Sequence, residues 1–124
     1  MTTRHRLQQR RDLETIAIEH VGLHFTVGLG RECETDSAGR SLRPIGPVME
    51  VWLSAPQHLN SLADAMASDG AILISLLMQY GHPASEIVAS LRRNPDGTPA
   101  SPIGVAAQLA AAVNHQLETN HGEP

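Results

Sequence analysis

The apolar residues of this chain change their spacing once, between residues 53 and 62, and that change constrains the fold more than any other feature. Before it, apolar and polar residues alternate over 16–29 and 48–53, as in strands with one buried face. After it, apolar residues recur every three or four positions, which is the helical period. The sequence therefore predicts an α+β protein, with a three-stranded antiparallel β-meander followed by three helices packed on one face.

Turn-forming residues divide the first half of the chain. Val21-Gly22 separates two alternating runs, and this arrangement predicts a β-hairpin. Residues 31–47 are rich in Gly, Ser, Asp and Pro and predict a long loop. The third strand is predicted over 48–53.

Capping residues mark the helices of the second half. The first helix is predicted to begin after Asn60 or Ser61 and to end near Tyr80, because Gly81 suits the position after a helix. A short helix follows His82-Pro83, and Ser101 caps a third helix that has Pro102 at its first position. The first helix is predicted to be buried on most sides, because Ile74 and Met78 widen an apolar face that contains these residues: Leu62, Ala65, Met66, Ile72, Leu73, Leu76, Leu77 and Tyr80.

The charge is unevenly distributed around a formal net value of −4. Residues 1–12 carry four arginines and one acid, for +3, whereas the remainder carries five arginines and twelve acids, for −7. A basic arm on an acidic body can contact nucleic acid or an acidic partner. A solvated, disordered arm is the favoured interpretation, because the arm has no aromatic residue and the body repels phosphates. We expect one domain over 13–118 and a disordered tail over 119–124.

The apolar runs and the single cysteine indicate the cellular compartment in which we expect the protein. Cys33 is the only cysteine, so no disulfide forms within the chain, which suits a reducing cytoplasm. The longest apolar run, over 71–78, is too short for a membrane span, and the N-terminus has no signal-peptide pattern. We expect a cytoplasmic protein without membrane contact.

Three residues are candidates for ligand or partner binding. His20 and His24 flank the predicted hairpin turn near Glu19, and two histidines with a carboxylate can hold Zn²⁺ or Fe²⁺. No third ligand stands at a diagnostic spacing, and exposed histidines at a hairpin end are the commoner arrangement. Asp69 falls within the apolar pattern of the first helix, where it suits a partner's arginine or a loop backbone. The sequence predicts no catalytic residue, no cofactor and no structural metal.

The helical half resembles a known family. The run from Asp69 through Gly81-His82-Pro83, followed by Glu86 to Leu91, is similar to the TSCPD domain. That domain occurs at the C-terminus of adenosylcobalamin-dependent ribonucleotide reductases and also as short stand-alone bacterial proteins. The resemblance implies a β-hairpin, a long helix ending in glycine, a short helix, and a last helix that opens near Ser101. The cysteine of the naming motif is missing here, so no metal or catalytic residue is carried over.

These observations support two functional hypotheses, and they leave open a third and less favoured one, an enzyme whose site is assembled across a dimer interface. The first is a non-catalytic accessory or binding module like the stand-alone TSCPD proteins, with a ribonucleotide reductase large subunit as a partner. The alternative is a small homo-oligomeric structural protein with no reductase link. Both include self-association, because an apolar helix with few elements to cover it leaves surface for a second copy.

Overall fold

The computed structural model describes residues 3–4 and 11–121. Over these residues the chain forms a sheet of order β1-β2-β3, antiparallel throughout, and then three α-helices. The α+β prediction is therefore confirmed. The elements are β1 (Arg11–His20), β2 (Leu23–Thr35), β3 (Ser41–Ser54), a single 3₁₀ turn (Pro56–His58), α1 (Leu62–Gln79), α2 (Ala84–Ser90) and α3 (Pro102–His121).

The predicted hairpin lies where its turn residues stand. Val21 and Gly22 connect β1 to β2 with positive φ angles of 51° and 78°. Positive φ at both central residues is the signature of a type I′ turn, whose twist matches that of the paired strands. Glycine adopts this conformation without strain, whereas valine does not.

The predicted loop over 31–47 is wrong. β2 continues to Thr35 and β3 starts at Ser41, so only residues 36–40 form the turn. Two prolines misled the prediction, Pro44 and Pro47, but β3 is an edge strand, where a missing N–H is tolerated. Register shifts beside Arg31 and Glu34 absorb the irregularity. Cys33 consequently lies in a strand and is buried.

Asp36 organises the short turn between β2 and β3. Its Oδ1 accepts from the backbone N–H of Arg40 at 2.8 Å and of Ala38 at 3.0 Å. The Arg40 backbone hydrogen bond is the main cause that holds the pKa of Asp36 below its ordinary value of 3.8, against a smaller opposing effect of desolvation.

A lowered pKa makes this contribution to stability depend on pH in one direction. It is fully present above pH 3.8, the ordinary value, and is lost as pH falls through the lower folded-state pKa. We expect Asp36→Asn to be less stable than the parent chain at neutral pH, with the difference shrinking in acid. Urea unfolding midpoints of both chains between neutral and strongly acidic pH check this. A difference that grows towards low pH would contradict it.

The core lies between one face of the sheet and the helices. Alternate residues of β2 and β3 face inward, among them Val27, Leu29 and Val51. Alanines such as Ala106 and Ala110 supply most of the inward surface of α3 and are fully buried. Small side chains let the helices approach closely, so this core is filled without aromatic residues other than the buried Phe25.

The predicted burial of α1 is wrong in its orientation. Six residues assigned to the core are exposed: Leu62, Met66, Ile72, Leu73, Leu77 and Tyr80. Of the predicted apolar residues, Ile74 and Met78 are buried, and they are joined there by Ala67, Ala71, Ser75 and Gln79. The bounds of the helix are close to prediction, with Ser61 as N-cap and Gly81 at a φ of 101° after its end. Two smaller boundaries also differ, since β1 includes residues 11–12 and α3 continues to His121.

The reason for this orientation is that α1 covers the free edge of β3. Edge strands present unpaired backbone groups, which proteins usually protect. Here four polar side chains of α1, spaced four, seven and four residues apart, bond to alternate residues of the strand. The bonds join Asp64 to the Ala55 N–H (2.9 Å), Ser68 to the Leu53 carbonyl (3.1 Å), Ser75 to both backbone groups of Val51 (2.9 and 3.1 Å), and Gln79 to the Met49 carbonyl (3.1 Å).

Helix α3 extends the same protection. Asn114 accepts from the Val48 N–H at 2.7 Å and donates to the Val48 carbonyl at 3.2 Å. A carboxamide offers a donor and an acceptor side by side, so it pairs with an edge residue as a neighbouring strand would. Side chains of two helices thus take the place of a fourth strand.

Ser101 caps α3 as predicted. Its hydroxyl accepts from the N–H of Gly104 at 3.1 Å. We expect Ser101→Ala to lower the free energy of unfolding by about 0.5–2 kcal/mol. Ser101→Asp should be tolerated, because a carboxylate also caps and favours the positive end of the helix dipole. Thermal unfolding of both variants checks this, and an unchanged midpoint for Ser101→Ala would exclude the capping role.

Candidate functional site

The two candidate histidines lie on opposite faces of the hairpin. His20 pairs with Leu23 and His24 pairs with Glu19, so successive side chains point away from each other across the sheet. His20 Nε2 lies 3.1 Å from the Ala100 carbonyl oxygen, whereas His24 is exposed. Within the described part of the chain, no group of three or more His, Cys, Asp or Glu side chains is placed to hold a metal ion.

Asp69 stands at the centre of an exposed stripe that we call the α1 face. The stripe follows the spacing four, three, four, three, four along the helix and contains Leu62, Met66, Asp69, Leu73, Leu76 and Tyr80. Leu62 is 76% exposed, and Met66 and Leu73 are each 61% exposed. Three further exposed apolar residues flank the stripe: Leu59, Ile72 and Leu77. Isolated exposed leucines are ordinary, but a contiguous apolar face is typical of an interaction surface.

The length and composition of α1 would also suit a membrane span. Its 18 residues have a mean hydropathy of 1.3, and a third of the helix is buried against the rest of the chain. Its polar stripe is engaged with β3, as described above. The apolar surface of α1 that is available to a partner therefore lies on the α1 face and the residues that flank it.

A second feature is a groove between β3 and α1, with a volume of about 560 Å³, which we call the β3–α1 groove. Glu50 and Trp52 contribute from the strand, and Ile72, Leu76 and Gln79 from the helix. Arg4 lines the groove as well, although it precedes the first strand.

The outer face of the sheet makes room for this groove. Glu50 and Trp52 stand opposite Gly30 and Gly28 on the neighbouring strand. A Cβ at Gly30 would lie 3.1 Å from the Glu50 Cβ, so a larger residue would crowd the carboxylate arm. Trp52 Nε1 donates to a carboxylate oxygen of Glu50, which holds that side chain in place. Glu50 is only 9% exposed, whereas the indole is 55% exposed.

Gln79 joins the edge of β3 to the N-terminal residues. Its Nε2 donates to the Met49 carbonyl, and its Oε1 accepts from the Arg4 Nε at 2.6 Å. The first bond orients the carboxamide, so that its oxygen is presented to the guanidinium. The side chain is 6% exposed, which makes both hydrogen bonds significant for stability.

A third surface is a groove of about 780 Å³ where the ends of α1 and α3 meet β3. His82, His115 and Glu118 are among its lining residues, and all three are exposed. Among the described residues, these three side chains do not form a group that could hold a metal ion.

Sequence reasoning missed the β3–α1 groove. The strand pattern placed Glu50 and Trp52 on one face, but nothing local indicated that Gln79 or Arg4 would lie beside them. One signal was present, since the two glycines at 28 and 30 leave one face of a central strand without side chains. Such a gap commonly marks the close approach of another group.

Comparison of the chain with protein-family models finds no match, and neither curated proteins nor solved structures give one. The resemblance to the TSCPD domain accordingly stays a prediction.

Proposed function

We propose that this chain is a non-catalytic binding module whose working surface is the α1 face. The observation that carries the proposal is an exposed apolar stripe, interrupted only by Asp69, along a helix whose opposite side packs against β3. A helix used only for the core would turn its large apolar residues inward. Here Ile74 and Met78 are the large apolar residues that turn inward, beside alanine and polar residues, and the other large side chains are left for a partner.

The proposed occupant of the α1 face is a second copy of the same chain. The stripe is symmetric about Ala71, so two antiparallel helices would match Leu62 with Tyr80 and Met66 with Leu76 of the second copy. A spacing of alternating three and four residues suits packing of two helices at a shallow angle. In this arrangement Asp69 lies opposite Leu73 of the second copy, which avoids direct opposition of two carboxylates.

The exposed apolar residues are numerous enough for such a dimer. Seven large apolar residues of the α1 face and its flanks are each between 42% and 76% exposed: Leu59, Leu62, Met66, Ile72, Leu73, Leu77 and Tyr80. Stable interfaces bury about 800 Å² on each partner. A twofold contact would therefore cover most of this apolar surface and leave little exposed.

We expect the chain to have twice its 13.3 kDa mass in light scattering at micromolar concentration. Leu73→Glu should raise the dimer dissociation constant at least about a hundredfold, because it buries an unpaired charge on both partners. The matched control is Val21→Glu, which places the same charge on an exposed apolar residue of the hairpin turn. A monomeric parent chain, or equal effects of the two variants, would contradict the proposal. Binding of the parent chain to neutral lipid vesicles would identify a membrane as the occupant instead.

A substitution at Asp69 shows whether the α1 face binds a second copy of the chain or a basic partner. If the α1 face binds itself, Asp69→Leu should lower the dissociation constant by about tenfold, because a desolvated charge is replaced by an apolar group. If Asp69 recognises an arginine of another protein, the same variant should weaken that association. Sedimentation equilibrium of the parent chain and the variant measures the first effect.

The association with ribonucleotide reductase is part of the same proposal. The order of a hairpin, a long helix that ends before Gly81, a short helix and a last helix capped by Ser101 agrees with what the TSCPD resemblance implies. Recovery of a reductase large subunit with the tagged parent chain, and equally with Val21→Glu, would support this role. A dimer that recovers no reductase would favour the alternative, a homo-oligomeric structural protein.

A further inference from the structure

We infer that the β3–α1 groove is a binding site for an arginine side chain, and that Arg4 of the same chain occupies it as a competitor in cis. This inference goes beyond the proposed function, because it concerns a groove that shares only Leu76 with the α1 face and a different ligand chemistry. It rests on the seat of Arg4 in the groove and on the groups that surround it.

The hydrogen-bonding groups of the groove suit a guanidinium. Gln79 Oε1 receives the Arg4 Nε at 2.6 Å, and its orientation is set by the bond from Nε2 to the Met49 carbonyl. A guanidinium bound through Nε still has four N–H donors on its terminal nitrogens. The Glu50 carboxylate lines the same groove, and the Trp52 indole donates to it and keeps it oriented.

The charge and aromatic character of the groove favour arginine further. Among the described residues that line it, Glu50 is the only anion and Arg4 the only cation. A carboxylate that is 9% exposed gains from a cation close by, because burial weakens its hydration. The exposed Trp52 indole offers a flat π-surface, on which guanidinium groups stack more readily than ammonium groups.

The groove is larger than its present occupant. A volume of about 560 Å³ remains beside Arg4, within the range of peptide and small-ligand sites. Its apolar wall consists of Leu76, which also belongs to the α1 face, and Ile72, which flanks that face. An arginine presented by a polypeptide segment, with an apolar neighbour, is therefore the chemical class that fits.

The test uses the full chain with Arg4→Ala, titrated with a synthetic peptide of residues 1–12. Trp52 is the only tryptophan, so its fluorescence reports directly on the groove. We expect saturable binding to this variant. A peptide of the same sequence with Arg4→Ala, which keeps its other arginines, should bind at least tenfold more weakly. The parent chain should also bind the original peptide more weakly, because a tethered side chain competes at an effective concentration of about millimolar.

A second variant examines the protein side of the contact. Gln79→Leu in the Arg4→Ala background should weaken peptide binding about tenfold, whereas Gln108→Leu, on the exposed side of α3, should leave it unchanged. Circular dichroism verifies that both variants keep the parent fold. Equal binding of the two peptides would show that bulk charge alone attracts the arm, and absence of saturable binding would show that the groove is no arginine site. Either result overturns the inference, independently of the outcome of the dimerisation experiments.

Discussion

Replacing Ser75 with valine is expected to lower the free energy of unfolding by about 2–3 kcal/mol, since each buried backbone group left without a partner costs about 1–3 kcal/mol. The Ser75 hydroxyl accepts from the Val51 N–H at 2.9 Å, and it shares its proton between the carbonyls of Val51 and Ala71, at 3.1 and 2.9 Å. Valine is about as large as a serine with one added methyl group, but its side chain neither donates nor accepts a hydrogen bond. Both backbone groups of Val51 would then lose their partner on the edge of β3.

Chemical denaturation of the parent chain and of three variants checks this prediction. Ser75→Thr keeps the hydroxyl and the added methyl group, so it should retain most of the stability lost in Ser75→Val. Ser68→Ala removes one bond, to the Leu53 carbonyl, at a partly exposed position and should cost about 1 kcal/mol or less. Equal losses in Ser75→Val and Ser75→Thr would mean that steric crowding, and not the missing hydrogen bonds, controls stability at this position.

Gly70→Val is expected to be the second severe substitution, with a loss of about 3 kcal/mol in unfolding free energy, at the upper end of typical overpacking costs. Helix α1 crosses α3 at this position, where a Cβ would lie 2.3 Å from the Ile103 Cδ1 and 2.7 Å from its Cγ1. The helices are held by their contacts with β3 and cannot separate freely. Valine adds two further methyl groups to the same crowded space.

The partner residue identifies the cause of this loss. Ile103→Ala removes the atoms that a side chain at position 70 would meet. The double variant Gly70→Val with Ile103→Ala should therefore lose clearly less unfolding free energy than the two single variants lose together. A double-mutant cycle measures this difference. Gly70→Ala alone should cost less than Gly70→Val, because improved helix propensity offsets part of the contact. Strict additivity of the two changes would exclude direct contact as the reason.

The two proposed surfaces differ in how far the sequence revealed them. The apolar residues of the α1 face were recognised as one helical stripe, but they were assigned to the core. Hydrophobic periodicity reports that residues share a face and not which way the face points. The β3–α1 groove could not be recognised, since Arg4 and Gln79 are 75 residues apart in the chain and meet only across the folded sheet.

Local physical chemistry determined the elements of this protein. Alternation of apolar residues set the strands, the Val21-Gly22 pair set the hairpin, and the caps at Ser61, Ser101 and Gly81 set the helix ends. Each of these signals acts within a few residues, through backbone conformation or a single hydrogen bond, so it can be read along the chain. The extent of β3 was missed because proline, taken by itself, is typical of loops. On an edge strand it is tolerated, because its missing N–H can face away from the neighbouring strand.

Only the tertiary structure decided which side of α1 is buried. The helix has an apolar stripe of large residues and a polar stripe ending at Gln79, and hydrophobicity alone favours burial of the first. The free edge of β3 reverses that preference, because its backbone groups lose their bonds to water when the helix packs against them and must be matched by Ser68, Ser75 and Gln79. A buried backbone group without a partner costs more than an exposed leucine, so the side with the polar stripe turned inward, together with Ile74 and Met78, and the apolar stripe was left at the surface.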